Sequence, residues 1–361
     1  MDVATPGAPL HRADSGTLQP AGDSVEDAPK VVLYCVSTHA YIYHRKVLYI
    51  KEKVMEQPKI LLTGAAGYIA SQMLPTFRTR YELVLVDVAR QNRRGETLND
   101  IVVLNLIDPD RRQYAHYFEG VDVVVHLGYK RRQGANPMDH FFDEKQNVEM
   151  AYNVLRTAYE AGVKRVVIAS SNHAADWYEH ALIHHQRAIE VLDPYLLPLS
   201  DNFYCWAKAT YEHLGFLFAC GGMDARETPG REQHTGGFLE ATRKLGVVMV
   251  RIGAPRPLDM ALYKDDPMTY KRDLGAYISP RDLTQLFCKA IETSNIDNEH
   301  GVPWQVVYGI SNNTRAFWSL ANARKVLGYA PEDDSEVVFA KDIQGFLVGH
   351  GATAGGGRVG G

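Results

Sequence analysis

KILLTGAAGYIAS, residues 59–71, sets a short apolar run directly against a cluster of small residues. Lys59-Ile60-Leu61-Leu62 reads as a buried β-strand bounded by turn signals. Thr63 to Gly67 form the turn, and Tyr68-Ile69-Ala70-Ser71 has helical spacing to Met73 and Leu74. A strand, a glycine turn and a helix start together present backbone N–H groups to a diphosphate at a helix N-terminus. Gly64 permits the turn and Gly67 lets the backbone approach the phosphates. Ala70 takes the place where a third small residue allows close helix–strand packing. Ala66, Tyr68 and Ile69 complete the candidate cofactor-binding edge. A glycine-rich turn with no ligand has the same appearance, so the rest of the chain must decide.

The 361 residues are enough to bury a sizeable core in one large or two modest domains. A net charge of −4, with both signs interspersed, argues against a nucleic-acid binder. Cys35, Cys205, Cys220 and Cys288 are far apart and form no metal-binding pattern, so free thiols, no metal and a reducing compartment are expected. No apolar run approaches the roughly 20 residues that span a bilayer. The acidic, proline-containing start lacks the basic and apolar parts of a signal peptide. The expectation is a cytoplasmic protein without membrane association.

Strand and helix patterns alternate from Lys59 onward. Strands are expected at 59–63, 82–87, 101–104, 121–127, 164–170, 246–252 and 304–308. Helices are expected at 67–77, 110–118, 139–161, 202–219, 236–245, 281–293 and 315–327. This order implies an α/β, Rossmann-type, doubly wound parallel sheet with right-handed crossovers. Residues 1–57 read as an N-terminal extension, disordered or partly ordered, with the functional chain starting near Met55. Residues 58–252 read as the dinucleotide-binding domain, and 253–345 as irregular substrate-binding segments completing the same fold. The Gly-rich, charged stretch 220–237 is an insert, Pro-rich turns occupy 253–280, and 346–361 form a flexible tail.

If the glycine turn holds a dinucleotide, the next strand should end in a carboxylate about 20 residues on, to receive ribose hydroxyls. Tyr81-Glu82-Leu83-Val84-Leu85-Val86-Asp87 ends in Asp87 at that distance. A carboxylate there repels a 2′-phosphate and favours NAD. Arg90, Arg93 and Arg94 keep NADP as a minority reading. Asn105 and Leu106 follow the third strand and face the adenine in this scheme. Leu127 and Gly128 close the fourth, beside the nicotinamide ribose and diphosphate.

The strand KRVVIAS runs into Ser170-Ser171-Asn172-His173, and Tyr204-Cys205-Trp206-Ala207-Lys208 later opens an amphipathic helix. Tyr204 and Lys208, four apart, share one helical face. The Lys208 ammonium and a positively charged nicotinamide can lower the phenol's pKa and make it a base near neutral pH. A serine hydroxyl opposite polarises the same substrate oxygen. With 20 tyrosines in the chain the spacing alone is cheap, and Tyr49–Lys53 is a decoy upstream. The order of glycine turn, Asp87, Ser171 and Tyr204–Lys208 distinguishes the set.

Over residues 59 to about 340 the sequence resembles the extended short-chain dehydrogenase/reductase superfamily, also called the NAD-dependent epimerase/dehydratase family. Within it the chain is similar to the uronate dehydrogenases, through VVIASSNH (166–173), VRIG (250–253), YISPRDLTQLF (277–287), VVYGISNNTRAFW (306–318) and LGYAPEDDSE (327–336). The resemblance implies that Ser171 and Tyr204 flank the reacting oxygen, that Lys208 supports Tyr204, and that Asn172 and His173 hold other sugar hydroxyls. It implies hydride transfer from C1 of a cyclic sugar to NAD, giving a lactone. It also implies a homodimer paired through the helices at 139–161 and 202–219.

The chain departs from that pattern in two places. His126-Leu127-Gly128 is followed by Tyr129-Lys130-Arg131-Arg132, where uronate dehydrogenases have a small, serine-containing segment. Asp259 stands near the place of their carboxylate-gripping arginine. Lys130, Arg131 and Arg256 are therefore candidate substrate-binding cations, with Lys264, Lys271 and Arg272 as further substitutes. The substrate class stays open among uronate, aldose and sugar phosphate, and the 130–132 charges also read as a solvated loop. The alternatives are a nucleotide-sugar epimerase with tightly bound NAD, and a cofactor sensor without turnover. Asn172-His173 counts against dehydration, which usually needs acidic residues there.

Overall fold

Seven parallel strands form one sheet: β1 (Lys59–Thr63), β2 (Glu82–Asp87), β3 (Ile101–Val103), β4 (Val123–His126), β5 (Arg165–Ser171), β6 (Gly246–Ile252) and β7 (Trp304–Gly309). Their order is β3-β2-β1-β4-β5-β6-β7. The computed structural model describes residues 57–221, 223, 244–263 and 266–348, plus the backbone of two short strands. The chain falls into two units, Met1–Met55 and Glu56–Gly361. In the first, Ile42–Tyr43 pairs antiparallel with Lys46–Val47. The expectations for Tyr49, Lys53, Met55 and the rest of the extension lie outside the described residues. So do those for most of the insert, for nearly all of the 236–245 helix, for Lys264 and for the tail beyond 348.

Alternation within the strands builds the two faces of the second unit. Ile60 and Leu62 pack on one side with Met73, Leu74 and Phe77 of α1 (Tyr68–Arg80) and Leu283, Leu286 and Phe287 of α5 (Pro280–Glu292). Leu61, Val124 and Val166 point the other way, against Ala151, Val154 and Leu155 of α2 (His140–Ala161) and Ala207, Tyr211 and Phe218 of α3 (Phe203–Ala219). Burying each such Val, Leu or Ile contributes roughly 1.5–3 kcal/mol, which is why strands covered on both faces read as nearly unbroken apolar runs. Among the described residues no helix is long and apolar enough to cross a membrane.

All seven expected strands are present, within two residues at each end. Two expected helices are not. Residues 110–118 close into two short 3₁₀ turns, with Tyr114 N bonded to Arg111 O and Tyr117 N to Tyr114 O. The 315–327 segment is helical only from residue 321, ending in a π turn at Ala323–Leu327. Its earlier backbone is taken by a bridge: Leu192 N donates to Phe317 O and Ser319 N to Leu192 O. Conversely, the expected Pro-rich turns contain α4 (Pro267–Ala276). Asp266 caps it by accepting from Met268 N and Thr269 N, and Pro267 sits in the first turn, where no N–H is needed.

The chain leaves β3 on one edge and returns to β4 beside β1, so the strand order reverses at the β1–β4 pair. A crevice opens at the carboxyl ends of strands at such a reversal. Thr63 and His126 end those two strands in register and bond side chain to side chain, Oγ1 to Nδ1, at 2.7 Å. Burial holds the His126 imidazole down to about 3, with the Lys208 charge adding to it, so it stays neutral.

Candidate active site

A cleft of about 970 Å³ runs along this crevice. At one end the glycine turn folds against β4. Gly64 has φ +67°, and a Cβ there would lie 2.8 Å from the Leu127 carbonyl carbon and 2.9 Å from Gly128 N. A Cβ on Gly67 would lie 2.8 Å from Gly64 O. Only glycine fits such approaches. Asp87, at the end of β2, accepts from Ala66 N at 2.9 Å through Oδ2 and from Val88 N at 2.6 Å through Oδ1. The carboxylate thus fixes the glycine turn and still lines the cleft. All the expected cofactor residues line it too: Gly64, Ala66, Gly67, Tyr68, Ile69, Asn105, Leu106, Leu127 and Gly128. The Cβ-free cradle beside a ribose-range carboxylate fits a dinucleotide.

At the other end stand the residues expected to do chemistry. Asn202 caps α3 by accepting from Cys205 N at 3.1 Å, which puts Tyr204 in the first turn and Lys208 one turn on. Lys208 is buried, and its Nζ donates to Ala169 O at 2.9 Å. The ammonium lies 5.8, 5.4 and 4.6 Å from the ring centres of Tyr204, Tyr129 and Tyr211. Burial pulls its pKa down to about 8, against the upward pull of Glu144 and Glu212. Ser171 and Tyr204 both line the cleft, and the Ser171 hydroxyl draws the phenol's pKa downward, while Ser170 turns instead to Glu212 at 2.9 Å. His173 pairs through Nδ1 with Asp176 Oδ2 at 2.7 Å, and its ring meets the edge of Tyr204. Since that carboxylate oxygen accepts, Nδ1 carries the proton and the other ring nitrogen is left to a ligand.

Two expectations need correction. The Tyr204 phenol is raised above its ordinary value: burial raises it most, Ser171 opposes, and the charges of Glu144 and Asp176 raise it further. Lys208, aimed at Ala169 O, does not bring it down by itself. Asn172 is not part of the cleft wall. It opens the 3₁₀ turn Asn172–Ala175, is 1% exposed, and both polar atoms of its amide lack a partner among the described residues.

The candidate cations separate. Lys130, Arg131 and Arg256 line the cleft. Lys130 Nζ bonds Gln146 Oε1, and Arg256 is held by Asp273 at 2.9 Å. Arg131 is exposed and pairs with no acid among the described residues. Arg272 is taken by Glu179 and Asp273 away from the cleft, and Lys271 does not line it. Asp259 serves as the cap of a 3₁₀ turn. Sequence reasoning missed Gln91, Asn92, Met150 and Pro255 in the wall, and Tyr129 there with Glu144 bonded behind it. The signal for Glu144 was its place on the buried stripe of α2 with Asn147, Ala151, Val154 and Ala158.

Residues 60–214 match the model of the NAD dependent epimerase/dehydratase family. The chain is 30% identical to the NAD-dependent glucose-6-phosphate dehydrogenase of Haloferax volcanii, over 78% of this chain and 95% of that protein. It is 28% identical to the uronate dehydrogenase of Pseudomonas syringae pv. tomato, over 78% and 85%. Among solved structures, a mutated uronate dehydrogenase superposes with a TM-score of 0.58 at 26% identity, covering 83% of this chain and 88% of that one.

Proposed function

The chain belongs to the NAD dependent epimerase/dehydratase family, with NAD as its cofactor, and on that footing we propose that it oxidises a cyclic sugar at C1 to a lactone. The observation that carries this reading is one cleft with Gly64 and Asp87 at one end and Ser171, Tyr204 and Lys208 at the other. The sugar dehydrogenases among its relatives support it.

When bound, NAD supplies the hydride acceptor and a positively charged ring. Tyr204 takes the C1 hydroxyl proton, so the C1–H electron pair can leave as hydride and a carbonyl forms. Ser171 holds that oxygen by a hydrogen bond, which tightens as charge develops. The Lys208 ammonium favours the phenolate over the phenol, countering the burial that disfavours it. His173 offers its free ring nitrogen to a neighbouring sugar hydroxyl. Arg131, with Lys130 beside it, supports a substrate bearing a carboxylate or phosphate. Exposed Phe142 and Leu217, on the mutually packed α2 and α3, support pairing of two copies there. Incubation with NAD and a panel of uronates, aldoses and sugar phosphates tests the reading. Stoichiometric NADH is expected, and isomerised sugar without NADH contradicts it.

A further inference from the structure

Behind Tyr129, in the wall of the cleft, lies an acid with no part in the chemistry above. Glu144, on α2, is 0% exposed, and a buried carboxylate is costly unless it is bonded and its charge is answered. Tyr129 donates its hydroxyl to Glu144 Oε1 at 2.7 Å, and Asn147 Nδ2 donates to Oε2 at 3.2 Å. Arg132 reaches only to 3.8 Å, with its side chain 42% exposed to water, so its charge is screened. The Tyr129 ring stands edge-on to the Tyr204 ring at 5.6 Å, and the Lys208 ammonium lies 5.4 Å from its centre. One tyrosine therefore touches the buried acid, the expected base and the buried cation.

The other groups facing Lys208 are accounted for. Glu212, one turn on in α3, is gripped by Arg251 at 2.8 and 2.7 Å and accepts from Ser170, so its charge is answered within its own network. His126, from β4, is neutral, and burial holds the Tyr211 phenol protonated. Asp176, from the turn after β5, binds His173 and Cys205. Glu144 is left as the carboxylate joined to the Lys208 ammonium through the Tyr129 ring, and burial raises its own pKa.

We propose that Tyr129 and Glu144 are positioning residues for Lys208 and Tyr204: Glu144 holds the Tyr129 ring against both, and its carboxylate keeps the buried lysine an ammonium. The kinetic consequence rests on the proposed dehydrogenase reading, but the charge relation does not. Glu144 is the first of the charges that pull Lys208 back up against burial, and it also raises Tyr204. Removing it disfavours the ammonium and favours the phenolate, so both groups titrate at lower pH.

The test is the titration of Lys208 by NMR, with lysine labelled at its terminal carbon and the signal assigned through Lys208→Met. Glu144→Gln keeps the shape and an acceptor for Tyr129 but drops the charge. The Lys208 midpoint is expected to fall by about one pH unit or more. Tyr129→Phe moves it the same way by less. If substrate is in hand, both limbs of the kcat/KM profile move acidward, which a merely structural loss does not produce. An unmoved midpoint in folded Glu144→Gln overturns the proposal, and an unmoved midpoint in Tyr129→Phe does so if Glu144→Gln does not fold. The titration needs no turnover, so a protein that oxidises no sugar yet shows the shift fails the dehydrogenase reading and keeps this one.

Discussion

The Lys208 ammonium sits 5.8 Å from the centre of the Tyr204 ring while its proton goes to the Ala169 carbonyl at 2.9 Å. The lysine is thus fixed beneath the phenol, at a cost in burial that lowers its pKa from 10.5 to about 8. Unfolded chains bind that proton up to the higher value, so through this group stability rises with pH across the window from 8 to 10.5. Lys208→Met escapes the penalty. Urea unfolding should show its stability advantage over the parent shrinking by up to about 3 kcal/mol between neutral pH and the top of that window. A constant difference contradicts a buried charged lysine.

Gly64→Ala places a Cβ 2.8 Å from the Leu127 carbonyl carbon at φ +67°. The expected cost is about 1–3 kcal/mol of stability, together with loss of NAD binding, because the turn must shift away from the cleft. Thermal unfolding and a fluorescence titration with NAD measure both. A variant indistinguishable from the parent in both would remove the glycine turn from the cofactor site.

Asp87→Ser removes the carboxylate at the end of β2 that is proposed to receive the ribose hydroxyls and repel a 2′-phosphate. Use of NADP relative to NAD should rise by about tenfold or more, since juxtaposed like charges cost several kcal/mol. Some stability is lost as well, because Asp87 also bonds Ala66 N. An unchanged ratio of kcat/KM for the two cofactors would mean that Asp87 only ends its strand.

Of the three candidate substrate cations in the cleft, Lys130 is held by Gln146 and Arg256 by Asp273, whereas Arg131 has no side-chain partner among the described residues. Arg131→Met should raise KM for a uronate or sugar phosphate by about tenfold, the weight of one charge-assisted hydrogen bond. KM for a neutral aldose should not move. Equal effects on charged and neutral sugars would assign the 130–132 charges to a solvated loop.

The sheet was readable because each strand is a short apolar run buried on both faces, and its alternation assigns Ile60 and Leu61 to opposite layers. The Tyr204–Lys208 pair was readable because four residues make one helical turn. What escaped was set at long range. Phe317 and Ser319 look helical until Leu192 takes their backbone groups. The cap of α4, Asp266-Pro267, was hidden in a stretch dense with prolines and charges. The helical stripe marks Glu144 as buried, but not that Tyr129, from the loop after β4, is what it meets. Asn172 shares the motif of its neighbours, yet the 3₁₀ turn buries it away from the cleft wall. Periodicity reports which face is buried, but not which distant residue meets it.

The proton acceptor is the centre of the account, and replacing one atom tests it. Parent and Tyr204→Phe proteins are each given NAD and the sugar panel, and NADH absorbance is followed while NAD affinity is measured in parallel. The parent should form NADH with a lactone product from one class of sugar, and the variant should lose about 10²–10⁴-fold in rate with NAD affinity unchanged. A variant as active as its parent would contradict the account.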